Sequence, residues 1–369
     1  MTLSDLVATL VILGISVASA LILRRLEDQI ERKSFFVTEK SISFMIPARN
    51  EAASISNLLT SIERNFIGRG FEFEVIVADD NSTDDTAAIA DSFAFVKVIG
   101  VVDRSESTFN GKSNALVAAS NSATGDIFVF LDADVVVGPK LQRSISAVAG
   151  GFGYDLLSIQ PFHRAVGFRE GFAVVFNVVS IFSALLSNLS HARPKLAFGP
   201  VLITTRDKYL AVGGHLGILN DVVDDVALAR RYFEEGLKVL TITDKEVATF
   251  RMYPLGFGQL IEGFTKNIVA GASSLSIFAA LIGFGYVFTF LTLDVSLFRD
   301  LFDQKIISGL IIYTVSTCLV AFGARMVGRF SWTVQLLHPL AFFVFVLVFF
   351  RALIRRALSL PNTWKGREV

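Results

Sequence analysis

Four stretches of this chain carry no charged residue: Leu6–Leu23, Ile268–Leu293, Ile306–Ala324 and Phe330–Phe350. Each is near the roughly 20 residues with which a helix crosses a bilayer core. A chain so marked is not expected to be water-soluble throughout. Residues 24–267, between the first run and the others, are of ordinary mixed composition. The whole is 369 residues long and 52% hydrophobic, with 35 Phe, which is more apolar than soluble domains are.

The flanks of these runs suggest an orientation. Arg24, Arg25, Arg32 and Lys33 follow the first run and place the mixed segment in the cytoplasm. That run lacks the basic amino-terminal flank of a signal peptide and reads as an uncleaved anchor. Arg351, Arg355, Arg356, Lys365 and Arg367 break the rule if the last run spans, so the span count stays open, and the run interrupted by Pro339 is a candidate for re-entry. Gly171–Ser190 is also uncharged, yet it holds Asn177, Ser180, Ser183, Ser187, Asn188 and Ser190. It reads as a helix at the membrane surface, near 169–190, rather than a span. The expected organisation is an anchor over 1–25, a cytoplasmic globular domain over 40–267 and membrane helices over 268–369, in a multi-pass protein of the cell membrane.

Composition excludes several classes. Formal net charge is zero, so no basic field attracts nucleic acid. A single cysteine, Cys318, excludes an internal disulfide and a cysteine-type zinc site. His163, His191, His215 and His338 have no metal-ligand spacing. A metal would therefore be held by carboxylates and by the ligand itself.

The mixed segment alternates strand and helix patterns. Strands are expected over 41–47, 74–78, 95–101 and 126–131. Helices follow to about Arg64, from the Thr83–Thr86 region with Ser or Thr as cap, and over 112–122. This pattern implies an α/β fold with a mostly parallel sheet. The fourth strand, Ile-Phe-Val-Phe-Leu, has no polar residue and ends in Asp132-Ala133-Asp134. Carboxylates at i and i+2 on extended chain share a face, and together they suit Mg2+ or Mn2+. Alone, such a pair arises by chance. Polar clusters also end the first strand (Arg49, Asn50, Glu51) and the second (Asp79, Asp80, Asn81, Ser82), and the topology of such sheets gathers strand ends into one crevice. Asn110-Gly111-Lys112-Ser113 looks like the end of a phosphate-binding loop, but Glu106 stands where that loop needs glycine, which excludes a nucleotide triphosphatase of that type.

The ordered set of clusters resembles the family 2 glycosyltransferases of the GT-A fold. It comprises Ile46-Pro47-Ala48-Arg49-Asn50-Glu51, Val77-Ala78-Asp79-Asp80-Asn81-Ser82-Thr83-Asp84, Gly111–Leu116, Phe130–Asp134, Gly213-Gly214-His215 and Asp224–Arg230, within residues 41–270. The resemblance implies a nucleotide-sugar donor, expected to be a UDP-sugar. Pro47, Arg49 and Glu51 would line its pocket, and one of Asp79 or Asp80 would meet the base. Lys112 would neighbour the nucleotide or diphosphate, Asp132 would face the ribose and metal side, and Asp134 would bind Mn2+ or Mg2+. Asp225, preceded by Asp224, would be the catalytic base of an inverting transfer. Where relatives often carry Gln-x-x-Arg-Trp, this chain reads Phe257–Asn267, without the tryptophan, which counts against a processive polysaccharide synthase. Lys266 and His215 are candidates for acceptor or diphosphate contacts. Arg251-Met252-Tyr253-Pro254 with Glu262–Asn267 looks closest to bacterial carotenoid-acid glycosyltransferases, with ceramide and hopanoid glycosyltransferases as relatives. The expected activity is transfer of one sugar to a membrane lipid. A polysaccharide synthase and a non-catalytic membrane scaffold are the alternatives.

Overall fold

The computed structural model describes residues 2–33, 39–102, 111–151, 153–188, 196–221, 223–271, 277–358, 360, 363–364 and 367–368. Glu106, Asn110, Ser190, His191 and Lys365, named above, lie outside them. The helices are α1 (Leu3–Lys33), α2 (Ile55–Phe66), α3 (Thr86–Asp91), α4 (Gly111–Ser122), α5 (Leu141–Ala149), α6 (Val174–Ser187), α7 (Arg206–Ala211), α8 (Asp224–Glu234), α9 (Phe257–Gly271), α10 (Ile277–Phe302), α11 (Ile306–Val327), α12 (Trp332–Leu336) and α13 (His338–Ala357). The main strands are β1 (Ile42–Ala48), β2 (Phe73–Asp79), β3 (Val96–Gly100), β4 (Ile127–Leu131), β5 (Val135–Val137), β6 (Leu156–Gln160), β7 (Phe162–Arg164), β8 (Val201–Thr205), β9 (Val239–Thr243) and β10 (Ala248–Phe250). The chain forms two compact units. One comprises Met1–Arg24, His163–Ser190 and Arg251–Val369, the other Arg25–Phe162 and His191–Phe250.

The second unit is built on a seven-stranded sheet in the order β3-β2-β1-β4-β8-β6-β9. Pairings are parallel except those of β8 with β4 and β6, so the expected mostly parallel sheet is present. β4 is buried along its whole length, as its unbroken apolar run requires of a central strand. On one face Phe128 and Phe130 pack with Tyr209 of α7, at ring separations of 5.5 and 5.2 Å. Burying each such side chain contributes about 1.5–3 kcal/mol. α2 covers the sheet with Ile55, Leu58, Leu59, Ile62 and Phe66, which recur at helical spacing. The strand order reverses between β1 and β4, because β1 continues to β2 on one side and meets β4 on the other. That crevice, at the carboxyl ends of both strands, receives the acidic loops.

One local expectation is corrected. α3 is not capped by Ser or Thr. The Asp84 carboxylate accepts the Thr86 N–H at 3.1 Å and the Thr86 hydroxyl as well. A carboxylate accepts two donors at once and complements the positive helix start.

Among the described residues, four helices are long and apolar enough to cross a membrane: Leu3–Arg32, Glu170–Ser187, Leu281–Phe302 and Ile306–Val327. The Phe330–Phe350 run does not form one helix. It breaks into α12 and α13, and α13 starts at His338-Pro339, where a proline needs no N–H partner. α6 is enclosed by α10, α11 and α13. Its Val179 and Val178 lie where a Cβ on Gly283 or Gly323 would be 3.1 and 3.2 Å away, so these glycines permit close helix approach. Three of its polar residues, Asn177, Ser183 and Ser187, are buried, while Ser180 is exposed; Asn177 bonds His163 Nδ1 at 2.7 Å, and Ser187 donates to the Ala184 carbonyl at 2.6 Å.

Gly125 precedes β4 and donates its N–H to Ser43 Oγ at 2.9 Å. A Cβ there would stand 2.6 Å from Ser43 Oγ and 2.7 Å from the Ser43 nitrogen. Because one of these is backbone, Gly125→Ala must displace β1. We expect it to cost about 1–3 kcal/mol of stability, read as a lower thermal midpoint of the detergent-solubilised protein. An unchanged midpoint would show that the β1–β4 junction yields easily.

Candidate active site

The loops after β1 and β2 are tied together by their own polar residues. Asn50 and Asn81 adopt left-handed conformations, with φ of 52° and 55°, which asparagine tolerates better than most residues. Asn50 receives the Thr83 N–H on Oδ1 at 2.8 Å and gives its own N–H to Ser82 Oγ at 3.0 Å. Arg49 donates to the Asp80 carbonyl at 2.9 Å and to Asp80 Oδ2 at 3.3 Å. Glu51 gives its N–H to Thr86 Oγ1 at 2.8 Å and accepts from Ser54 Oγ at 2.7 Å. Asp79 differs from Asp80. Its Oδ2 accepts the Ser82 N–H at 3.2 Å, while its Oδ1 is buried and makes no hydrogen bond among the described residues.

One acid of the strand-end pair and one of the helix-start pair meet at Lys112. This residue stands in the first turn of α4, and its Nζ lies 2.6 Å from Asp132 Oδ1 and 3.7 Å from Asp224 Oδ2. Carboxylates from the end of β4 and the start of α8 are thus within 3.7 Å of one nitrogen. Asp132 is fixed by its own backbone, whose N–H bonds the Pro200 carbonyl at 3.0 Å. Asp134, two residues on, is exposed. Asp225 is seated by two backbone donors, Gly199 N–H at 2.7 Å and Val226 N–H at 2.8 Å. A Cβ on Gly199 would stand 3.0 Å from Lys112 Nζ and 3.3 Å from Asp225 Oδ2, so glycine is what lets the backbone close on both.

Electrostatics follow from this crowding. Burial opposes the charge on Lys112, but Asp132 and Asp224 outweigh it and hold the ammonium above its ordinary range. Burial raises Asp132 against the pull of Lys112, and Asp224 and Glu51 add to the rise. Asp225 is pushed up to about 7, first by burial and then by the neighbouring charge of Asp224, which together exceed the lowering by Lys112 and the two N–H bonds. A helix start alone would have kept it low.

The remaining candidates are placed as follows. Pro47 lies in β1 opposite Ala78, and Arg49 follows the strand, 3.3 Å from Asp80 Oδ2. His215 is fully buried in a short 3-10 segment, Gly214–Ile218. Lys266 lies on α9, in the first unit. Gly199 and Tyr209 were missed; the Gly199-Pro200 dipeptide just before β8 was the available signal. Among the described residues no cluster of three His, Cys, Asp or Glu side chains could hold a metal. The donors at Asp132 and Asp134 are oxygen only. That set fits a hard divalent cation whose other positions are taken by phosphate oxygens and water.

Lys112→Met should expose the value of the ammonium. At pH 8 it leaves Asp132 and Asp224 without their cation and should lower stability by about 1–3 kcal/mol. Asp132, already raised by burial, then loses the cation that lowers it; at pH 5 it takes up a proton more readily, and the deficit should shrink. Thermal midpoints of wild type and variant at the two pH values check this; a deficit equal at both would mean that the lysine acts only through packing.

Comparison with known proteins follows the same residues. The family described as Glycosyl transferase family 2 matches residues 43–169. The 4,4'-diaponeurosporenoate glycosyltransferase of Staphylococcus aureus (strain MRSA252) is 32% identical over 369 residues, covering 97% of this chain and 96% of its own. The enzyme of that name from strain USA300 is 32% identical over 367 residues, with the same coverage. Among solved structures, the mannosyltransferase PcManGT from Pyrobaculum calidifontis, in complex with GDP-Man and Mn2+, is 16% identical and has a TM-score of 0.56, over 97% of this chain and 100% of that one. The sheet order and the acidic strand ends are thus those of a GT-A fold, and this chain belongs to the family 2 glycosyltransferases.

Proposed function

We propose that this glycosyltransferase moves a single sugar, with inversion, from a UDP-sugar to a membrane lipid, a carotenoid acid being the first candidate. The observation that carries the reading is the meeting of the β4 and α8 carboxylates at Lys112. Donor and base residues must lie within a few ångströms of one sugar, and this crevice provides that proximity. The relatives named above support a carotenoid acid.

The roles proposed for the residues are those that the family resemblance implies, and the geometry is consistent with them. Pro47, Arg49 and Glu51 line the nucleotide pocket. Asp80 is engaged by Arg49, so Asp79, with its buried Oδ1, is the acid suited to an N–H of the base. Asp134 and Asp132 hold Mn2+ or Mg2+. When bound, that cation offsets the negative charge that grows on the leaving diphosphate. Lys112 is already shared between Asp132 and Asp224, so it can turn toward the donor phosphates without leaving acidic surroundings. Asp225 takes the proton of an acceptor hydroxyl as that oxygen forms its bond to the anomeric carbon and the bond to the diphosphate breaks. Raised to about 7, Asp225 is a better base than an ordinary aspartate. The basic residues after α1 support a cytoplasmic catalytic unit, and the long apolar helices support anchorage in the cell membrane.

Mass spectrometry of lipids from cells with and without the protein tests the reading. The expected result is a single-hexose increment on an apolar carboxylic acid or alcohol. That product should vanish in Asp134→Ala, along with any Mn2+-dependent release of UDP. A long polymer would identify a processive synthase, and no product with any donor would leave a scaffold.

The acceptor class sets the pH behaviour. For a hydroxyl acceptor, Asp225 must be ionised, so kcat/KM should fall about tenfold per unit as pH drops below about 7 and level off above it. Asp225→Asn should then cost roughly 100-fold or more. A carboxylate acceptor is ionised already. With it the acid limb should be absent, and Asp225→Asn should change turnover only a few-fold. Equal losses on both acceptors would overturn the proton-transfer role.

A further inference from the structure

Gly328–Arg329 form a short strand, β11, which follows α11 and pairs in parallel with β7. The register sets Gly328 opposite His163 and Arg329 opposite Arg164. The Ala165 N–H extends the ladder by donating to the Arg329 carbonyl at 3.2 Å. Glycine is what permits the pairing: a Cβ on Gly328 would stand 2.5 Å from the Phe330 ring and 2.7 Å from the His163 carbonyl oxygen. Residues in register on neighbouring strands project to the same face, their backbones about 5 Å apart. His163 and Gly328 are buried, whereas Arg164 and Arg329 are exposed. Two guanidinium groups therefore leave a buried base side by side.

Like charges so placed repel each other, and neither side chain has a hydrogen bond or ion pair among the described residues. The acid that ends the loop after β7 is already committed. Glu170 is buried, and its carboxylate accepts the Val166 N–H at 2.9 Å and Arg251 Nε at 3.1 Å. Arg169, beside Gly256, and Arg325, in the last turn of α11, are also exposed and also without a partner among the described residues. The same segments leave large apolar side chains uncovered: Val166 is 73% exposed, Leu255 84% and Trp332 70%. In water both features are unfavourable. At a bilayer surface both are satisfied, because apolar side chains enter the acyl boundary while arginines sit among the phosphates. All these residues belong to the helical unit.

We propose that Arg164 and Arg329 form a binding site for the phosphate of an anionic phospholipid, with Trp332 and Val166 seated at the upper end of its acyl chains. Two guanidinium forks offer paired N–H groups to the phosphate oxygens. The flanking charges of Arg169 and Arg325 favour a headgroup of net negative charge over a zwitterionic one. This goes beyond the sugar-transfer reading and does not depend on it.

Quenching of Trp332 fluorescence tests the site on the full-length protein in mixed micelles. Trp364→Phe leaves Trp332 as the sole tryptophan. Brominated phosphatidylglycerol should quench it at a mole fraction about 25-fold lower than brominated phosphatidylcholine does. Arg164→Gln and Arg329→Gln should each cut that preference about fivefold, and the double variant should abolish it. Arg24→Gln with Arg25→Gln removes equal charge at the end of another apolar helix, and should leave the preference within about twofold. A wild type without preference, or an equal loss in that control, would overturn the proposal. So would displacement of the lipid by inorganic phosphate at matched ionic strength, which marks a site for soluble anions. Stronger quenching by brominated stearate than by the phospholipid would assign the pair to a carboxylate and overturn it as well. Should Trp364→Phe melt early, native mass spectrometry counts the phosphatidylglycerol retained by the wild type and by the double arginine variant. One lipid fewer is expected in the variant, and equal counts would overturn the site. None of these readings needs turnover, so an inactive enzyme would sink the functional reading and leave this one to be decided.

Discussion

Lys112 sits where two acidic loops meet, and most of the site depends on its charge. Asp132 arrives at the end of a strand with no polar residue, and Asp224 opens a helix more than ninety residues later in the chain. Both are removed from much of their water, and neither could keep its charge there without a cation. The lysine supplies one in the structure described. It offsets part of the negative charge gathered there, and a divalent ion would offset more.

The same crowding divides labour between adjacent acids. Asp224 lies against the lysine, and Asp225, one residue on, has its affinity for protons raised by burial and then by the neighbouring Asp224. Two identical side chains thus acquire different chemistry from position alone. Gly199 is part of this device, because only a residue without a side chain lets a backbone N–H approach Asp225 while Lys112 passes close by.

Much of this was legible in the sequence. The apolar run of β4 and its two terminal aspartates place the strand and its functional end without any structure, since period-two geometry and burial leave few alternatives. The clusters after β1 and β2 were legible for the same reason. Their knitting through Asn50, Ser82 and Thr83 was not, because it joins residues about thirty positions apart. The acid strength of Asp225 also escaped: its place at a helix start argues for a low value, and only burial beside Asp224 reverses the sign. Hydropathy could not tell whether α6 is surrounded by lipid or by protein, since both are apolar. Gly283 and Gly323, which let α6 come close, are distant in sequence and individually unremarked.

The path of the chain has a consequence for how such a protein can be taken apart. It leaves the sheet unit after β6, builds α6 into the helical unit and returns for β8. Cutting away the helices beyond residue 251 would not release a self-sufficient enzyme. It would strip α6 of the three helices that enclose it and leave a greasy rod tethered inside the fold. Recombination could not graft this sheet onto a new anchor by a single crossover either. The catalytic and helical halves are interleaved along one gene, and they are constrained to be inherited together.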